Sequence, residues 1–227
     1  MAYAIDNTIV VRPPQQSLAT FGTTTVRYYL VSEPVYADLD AGGPLDEAVV
    51  REGVVRAQKP QVVTPYYMLR HEGFGENARR FLELLMQRHG PHAPALLYSY
   101  KNESMETSIV SGDPQAVAAR IASRLDDDRK PLEAVIRGVG EMWDVSLMKF
   151  IFDLTSSSIR DNVAEMHSRG MLEADGGVPR DVRVRVEHLL ELARRGEAQP
   201  ADVHKEMLRW GLFDEYQDRF LDLFRRR

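Results

Sequence analysis

Residues 142–154 read MWDVSLMKFIFDL, and nine of these thirteen residues are large and apolar. No other window of the chain is as dense in large apolar side chains. An amphipathic surface helix shows one apolar stripe, whereas this segment is apolar almost all round. We therefore expect it to be the most buried segment, with Phe150 at a full core position. Lys149 and Asp153 are four residues apart, so they can pair on one helix face.

The composition is that of a folded protein without cysteine chemistry. The chain has 227 residues, no cysteine and a formal net charge of −5. Such a length allows one large domain or two small ones. The lack of cysteine excludes disulfides and thiolate ligands, and it fits a reducing compartment. No secretion signal and no membrane-spanning apolar run is visible, so we expect a soluble, cytoplasmic protein without membrane contact.

Strand patterns cluster in the first half of the chain. Residues 23–31, TTTVRYYLV, are rich in β-branched and aromatic side chains and predict a strand. Residues 49–64 predict two short strands, and residues 95–111 predict a hairpin around the polar turn KNESM. The prolines within residues 1–20 indicate an extended arm or an edge strand there.

Two helices can be placed from their terminal residues and apolar spacing. Residues 76–89 have the spacing of a helix, with an apolar face that includes Phe81 and Leu84, and a glycine follows at the expected C-cap. A second helix begins after Asp113 as its N-cap, with Pro114 as its first residue.

From Pro131 onward the chain reads as helical. Strands before helices favour the α+β class, with an N-terminal antiparallel sheet carrying one or two helices and a helical C-terminal half. We expect residues 1–112 to form a mostly-β subdomain that includes the helix at 76–89. Residues 113–227 then form an α-helical subdomain packed as one unit.

The segment after the apolar stretch has features of a DNA-binding motif. Residues 155–172, TSSSIRDNVAEMHSRGML, begin with capping side chains and keep a helical spacing. After a short buried helix, this segment resembles the second and third helices of a winged helix-turn-helix, with a typical Arg-Gly-apolar-apolar end at residues 169–172. The resemblance implies a DNA-binding regulator over residues 131–186. A wing strand would lie at residues 181–186, although Pro179 and the apolar spacing favour a helix there.

The charge of this region argues against nucleic acid. Residues 156–209 contain nine bases and ten acids. A DNA-binding surface usually has a local excess of bases. The alternative interpretation is a helical hairpin in the core.

Residues 65–75, PYYMLRHEGFG, gather the side chains most suited to a ligand site. They offer a cation, an imidazole, a carboxylate and free backbone amides within eleven residues. The strand that begins near residue 98 can bring a tyrosine and a lysine beside them. One hypothesis is a polar cleft here, which would be the site of an enzyme of unfamiliar type; the other, which the residues favour, is an ordinary strand-to-helix turn with surface charges. The candidate residues are Tyr66, Arg70, His71, Glu72, Tyr100 and Lys101.

No metal or cofactor motif is present in the sequence. His89 and His92 have a ligand-like spacing, but no third ligand is implied beside them. There is no zinc-protease, nucleophile-elbow or glycine-rich phosphate motif. We therefore expect no metal and no cofactor.

The function favoured by these observations is a non-enzymatic interaction or regulatory module. The alternatives are the winged-helix regulator and the unfamiliar enzyme. A surface for a partner is offered by residues 212–224, whose large apolar side chains form one helical stripe. This stripe either docks on the protein's own core or contacts a protein partner or a second copy. Its members are Leu212, Phe213, Tyr216, Phe220 and Phe224.

Overall fold

The structure is a computed structural model that describes residues 1–34, 46–70 and 75–225. It confirms the α+β class, with a sheet in the N-terminal part and helices in the C-terminal half. The helices and strands of the described residues are, in chain order, α1 (Ala2–Asp6), β1 (Ile9–Arg12), β2 (Thr24–Ser32), β3 (Glu47–Ala57), β4 (Gln61–Val63), α2 (Pro65–Leu69), α3 (Glu76–His89), β5 (Ala95–Leu97), β6 (Tyr100–Ser111), α4 (Pro114–Asp127), β7 (Glu133–Arg137), α5 (Trp143–Ser168), β8 (Ala174–Asp175), β9 (Val178–Pro179), α6 (Arg180–Arg194), α7 (Pro200–Trp210) and α8 (Phe213–Arg225).

The chain forms two compact units, and each takes two segments of sequence. The first unit comprises Met1–Lys59 and Tyr98–Ala164. The second unit comprises Pro60–Leu97 and Glu165–Arg227. The division of the chain at residue 112 stays a prediction.

The first unit is built on a five-stranded sheet with the strand order β1-β7-β2-β3-β6. The central strand β2 pairs antiparallel with β3 and parallel with β7. Successive side chains of a strand point to opposite faces, and here both faces are covered. On one face Tyr28 and Leu30 pack with Phe150 of α5. On the other face Tyr29 and Val31 pack with α4.

Helix α5 has a buried face and an exposed face. Phe150 is only 2% exposed, which confirms its expected core position. Met148 and Phe152, however, are 62% and 70% exposed, so the expectation that this segment is buried all round was wrong. The physical reason is that the sheet offers α5 a single surface. The more continuously buried segment is the second half of β2, where residues 28–32 are all buried.

Two expectations about strands were wrong. Residues 133–137, EAVIR, form the strand β7 and are not helical, because Val135 and Ile136 fill the two faces of the sheet beside β2. Residues 95–111 are not one hairpin. Strand β6, which includes the supposed turn KNESM, pairs with β3 with one register shift between Glu52 and Val54, whereas β5 pairs with β4 in the second unit.

Polar side chains on α5 hold the segment that precedes β2. Asn162 donates from Nδ2 to the carbonyl oxygen of Leu18 at 2.7 Å and to Oγ1 of Thr20 at 2.9 Å. The hydroxyl of Tyr98 donates to Oδ1 of the same asparagine at 2.7 Å. Both polar atoms of this buried amide, Nδ2 and Oδ1, thus have hydrogen-bond partners, as a buried polar group requires.

The core of the second unit joins the strand β4 to helices α6, α7 and α8. Leu212, Tyr216 and Phe220 are buried in this core, whereas Phe224 is 54% exposed. Most of the apolar stripe at residues 212–224 therefore docks on the unit's own core. Leu221 and Phe224 remain exposed, and self-association through this stripe stays a prediction.

A half-buried ion pair stabilises the same core. Glu206 lies 2.9 Å from Nη2 of Arg185, and it accepts from Nε1 of Trp210 and from the hydroxyl of Tyr67, both at 3.2 Å. The rings of Tyr67 and Trp210 stack with their centroids 4.5 Å apart. The carboxylate thus binds three elements of one unit together.

The local features expected of a winged helix-turn-helix are only partly present. A turn is required before Thr155, but α5 runs unbroken from Trp143 to Ser168. Residues 181–186 belong to helix α6, which confirms the helical interpretation of this segment. The two separate helices on which the DNA-binding alternative was based are therefore a single helix. Among the described helices, none has the length and apolarity needed to cross a membrane.

Replacing Phe150 by alanine should lower the free energy of unfolding by about 3–5 kcal/mol, because the change leaves a cavity between α5 and the sheet. Phe152→Ala on the exposed face of the same helix is the matched control, and it should change stability by less than about 0.5 kcal/mol. Urea denaturation measures both. Equal losses in the two variants would contradict the assignment of the two faces.

Burial, with a smaller contribution from Tyr100, raises the pKa of Tyr98 from 10.0 to about 12. The folded state therefore keeps a proton that the unfolded state releases, so stability is lost as the pH rises from about 10 toward 12. Tyr98→Phe should lower stability at pH 8 by about 1 kcal/mol through the lost hydrogen bond, yet flatten the alkaline decline. Tyr3→Phe, at a residue that is 64% exposed, should leave the decline unchanged. Urea denaturation between pH 8 and 11 distinguishes these outcomes; a wild-type slope in Tyr98→Phe would contradict the argument.

Candidate functional site

A row of exposed apolar side chains lies along α5 on the solvent side of the first unit. Their exposed fractions run from 38% to 70%. We call this row the outer stripe. Its members are Met148, Phe152, Ile159 and Val163.

The spacing of the sequence creates this stripe. Its members are separated by four, seven and four residues, each close to a whole number of helical turns. At 100° per residue the four side chains fall within about 60° of arc. Leu147, Phe150 and Leu154 point to the sheet instead. Helix α5 therefore carries two apolar faces, one for its own sheet and one that stays in contact with solvent.

Such a stripe is unfavourable unless something covers it. Burying one large apolar side chain contributes roughly 1.5–3 kcal/mol, and contiguous exposed apolar surface commonly marks an interaction site. The stripe is bordered by charges: Nζ of Lys149 lies 2.8 Å from Asp153, and Arg160 follows on the same side of the helix. An apolar strip with a polar rim is the usual anatomy of a protein-binding surface.

The residues proposed from the sequence as a cleft are distributed over both units. Tyr66 and Arg70 belong to the second unit, whereas Tyr100 and Lys101 belong to the first. His71 and Glu72 lie outside the described residues. The convergence of these six side chains on one ligand stays a prediction.

The described members of that set already have structural partners. The guanidinium of Arg70 lies over the ring of Tyr66 at 4.4 Å, and Nη1 donates to the carbonyl oxygen of Leu208 at 2.8 Å. This contact caps the last turn of α7, which ends at Trp210 and is followed by Gly211 in the left-handed conformation with φ of 69°. In the first unit, Tyr100 and Thr155 share a hydrogen bond between their hydroxyls, and Nζ of Lys101 is 3.6 Å from Glu103.

A basic notch that the sequence reasoning missed adjoins Arg70. Lys205 and Arg209 on α7 line it together with Arg70 and Leu208, around a volume of about 150 Å³. The four-residue spacing of Lys205 and Arg209 was visible in the sequence, but their approach to Arg70 depends on the packing of α2 against α7. Three cations around so small a depression can hold only a small anion or the carboxylate of a partner side chain.

A polar crevice lies where three strands of the first unit end. β2, β6 and β7 run in the same direction, so their carboxyl ends meet at one edge of the sheet. The crevice has a volume of about 380 Å³ and is lined by Glu33, Gln115, Arg137 and residues 138–140. The guanidinium of Arg137 donates to Oε1 of Gln115 at 3.0 Å. In open α/β sheets ligands commonly bind at such an edge.

The turn after β7 shapes the floor of this crevice. Gly138 lies so close to the first turns of α5 that a Cβ atom there would come within 2.5 Å of Oγ of Ser146. The same hydroxyl accepts from the backbone N–H of Val139 at 3.3 Å and from the hydroxyl of Thr8 at 2.7 Å. The sequence signal for this turn is Gly138-Val139-Gly140 between a strand and a helix, and the helical prediction for residues 133–137 obscures it.

Metal ligands do not cluster in the part of the chain that the structure describes: no group of three or more histidine, aspartate or glutamate side chains there is arranged to hold an ion. Burial perturbs the ionisation of several groups in the first unit. It raises the pKa of Tyr28 and Tyr100 above 10.0, and it lowers the pKa of Arg51, which donates to Oγ of Ser32 at 3.0 Å.

Comparison with protein-family models, with curated proteins and with solved structures finds no match to this chain.

Proposed function

We propose that this protein is a non-enzymatic interaction module that binds a protein partner through the outer stripe of α5. The observation that carries the proposal is the row of four large apolar side chains on the solvent face of one helix. Residues of this size in a single stripe provide the apolar centre that a protein interface requires. A cytoplasmic location remains a prediction from the cysteine-free sequence.

The rigidity of α5 supports this role. Its inner face is fixed by Phe150 and Leu154 against the sheet, and Ser158 binds the preceding arm by accepting from the backbone N–H of Leu18 at 3.0 Å. The stripe is therefore held straight and preorganised over about 22 Å, at 1.5 Å per residue. A preorganised surface loses little conformational entropy when a partner binds.

The shape of the stripe indicates the mode of recognition. A long, narrow, apolar strip with charged borders matches the contact between two packed helices better than the contact with a flat surface. Met148 and Phe152 are the anchors that contribute most, because they are large and the most exposed. We expect the partner to present an apolar helix.

Photo-cross-linking of the full chain tests this proposal. Benzoylphenylalanine in place of Phe152 should cross-link one discrete protein in an extract of the source cells, because the partner covers this position. The same group in place of Val184, which is 44% exposed on α6, is the control and should give no such product. Phe152→Asp in the competing, unlabelled protein should abolish its ability to suppress the cross-link, whereas Val184→Asp should not. Identical products from positions 152 and 184 would overturn the proposal.

A second candidate function is the binding of a small polar molecule in the crevice at the carboxyl edge of the sheet. The crevice combines the cation Arg137, the carboxylates of Glu33 and Asp113, and the amides of Asn7 and Gln115. Its volume of about 380 Å³ lies within the range of small-molecule sites. Opposite charges in one crevice suit a zwitterion such as a free amino acid. This site differs from the one expected near residues 65–75.

Thermal denaturation in the presence of individual amino acids, each at 5 mM, checks the second candidate. At this concentration a dissociation constant of ~0.1–1 mM raises the melting temperature by a few degrees. At least one amino acid should raise the melting temperature of the wild type but not that of Arg137→Gln. Arg120→Gln, on the exposed surface of α4, is the matched control and should respond like the wild type. Equal responses of Arg137→Gln and the wild type, or no response at all, would dismiss the crevice as a ligand site.

A further inference from the structure

We infer that the partner of the outer stripe is a second copy of this chain, whose α5 packs antiparallel against the first about a two-fold axis between Thr155 and Ser156. The inference rests on the proposed function and names its partner. It is carried by the internal symmetry of the stripe, which an interface between different proteins does not require.

The order of residues along α5 is symmetric about one point. The midpoint between Met148 and Val163 is also the midpoint between Phe152 and Ile159, and it falls between Thr155 and Ser156. A two-fold rotation about this point places Met148 of one copy opposite Val163 of the other. It likewise places Phe152 opposite Ile159. Each long or aromatic side chain therefore meets a shorter β-branched one, which is the alternation that packs two helices closely.

The residues at the proposed axis allow the two helices to approach. Between Phe152 and Ile159, the two inner members of the stripe, only positions 155 and 156 lie beside it on the helix surface. Both hold small residues, Thr155 and Ser156. The Thr155 hydroxyl is turned toward its own helix, since it donates to the carbonyl oxygen of Ile151 at 2.6 Å. Ser156 is exposed. Packed helices lie about 8–10 Å apart, and small residues at the crossing point favour the shorter distance.

The charges beside the stripe are complementary under the same rotation. Asp153 and Arg160 lie on the same border of the helix, on opposite sides of the midpoint. In an antiparallel pair the border that carries these charges on one helix faces the same border of the other helix. Arg160 of one copy therefore comes within one helical turn of Asp153 of the other. Within the described ranges Arg160 has no ion pair of its own, whereas Asp153 is 45% exposed at its side chain and already binds Lys149. In a parallel pair opposite borders face each other instead, so Arg160 of one copy and Asp153 of the other lie on different sides of the contact.

The area of the stripe indicates a weak dimer. Two helices that touch over about 22 Å bury less than the roughly 1,600 Å² of a standard interface. A closed, two-fold contact is the commonest form of self-association and needs no other surface. We expect a dissociation constant in the micromolar range, so that the chain is largely monomeric at high dilution.

Cysteine cross-linking tests the geometry, because the chain has no native cysteine. Ser156→Cys should form a disulfide-linked dimer under mild oxidation, since the axis brings the two positions opposite each other. Met148→Cys alone and Val163→Cys alone should not, because each lies about 22 Å along the axis from its own copy. An equimolar mixture of Met148→Cys and Val163→Cys should give the mixed dimer at least tenfold above either variant alone.

Other outcomes decide against the inference. Self-cross-linking of Met148→Cys and of Val163→Cys at the efficiency of Ser156→Cys would indicate a parallel pair and overturn the antiparallel axis. Val184→Cys, on the exposed surface of α6, measures random collision and should cross-link less than Ser156→Cys; equal efficiency would overturn the dimer. Circular dichroism of each variant confirms that it is folded, since all of these positions are exposed.

Light scattering separates this inference from the proposed function. The weight-average mass of the wild type should rise toward that of a dimer as the concentration increases, and Phe152→Asp should hold the chain monomeric. A monomer at every concentration, together with a photo-cross-link from position 152 to a different protein, would overturn the dimer and leave the interaction module standing. A monomer without any cross-link would overturn both.

Discussion

The pairing of β2 with β7 is the constraint on which the rest of the first unit depends. These two strands are parallel, so the chain must cross the sheet between them, and both strands are buried on two faces. Neither face can be left to solvent, so each needs a helix: α4 covers one and α5 covers the other. Once α5 is fixed in this way, its direction and rotation are set, and so is the set of side chains that it turns to solvent.

The elements that could be predicted from the sequence are those with local signals. The strand at residues 23–31, the helix at 76–89 and the start of α4 at Asp113 follow from β-branched content, helical spacing and capping chemistry. What could not be predicted were the elements decided by distant partners. The strand β7 is five residues long, and the apolar pattern within it does not distinguish a strand from a turn of helix; its place beside β2 makes it a strand. The polar run KNESM is a strand because it pairs at the edge of the sheet, where polar side chains are tolerated and protect against aggregation.

The same limit applies to the candidate surfaces. The density of apolar residues at 142–154 identified the helix that matters, but density does not distinguish a helix buried all round from a helix with two separate apolar faces. The difference becomes visible only when Phe150 is placed against the sheet and Phe152 is not. The cleft expected near residue 70 drew on residues with suitable chemistry, yet Arg70 is occupied as the cap of α7. Chemistry read from residue types identifies candidates, and packing decides which of them are free to bind a ligand.

The contrast between α5 and α8 shows how this protein distributes its apolar surface. Both helices carry a stripe of large apolar residues that would be unfavourable in contact with solvent. In α8 most of the stripe is buried in the unit's own core, where it packs with α6 and α7. In α5 the four residues of the outer stripe stay exposed among the described residues, whereas the inner face of the helix packs on the sheet. A sequence under no demand for binding would place polar residues at these positions, at a gain in solubility and no loss of core packing. That Met148, Phe152, Ile159 and Val163 are apolar, and are spaced symmetrically about the point between Thr155 and Ser156, is most simply explained by a second helix that covers them.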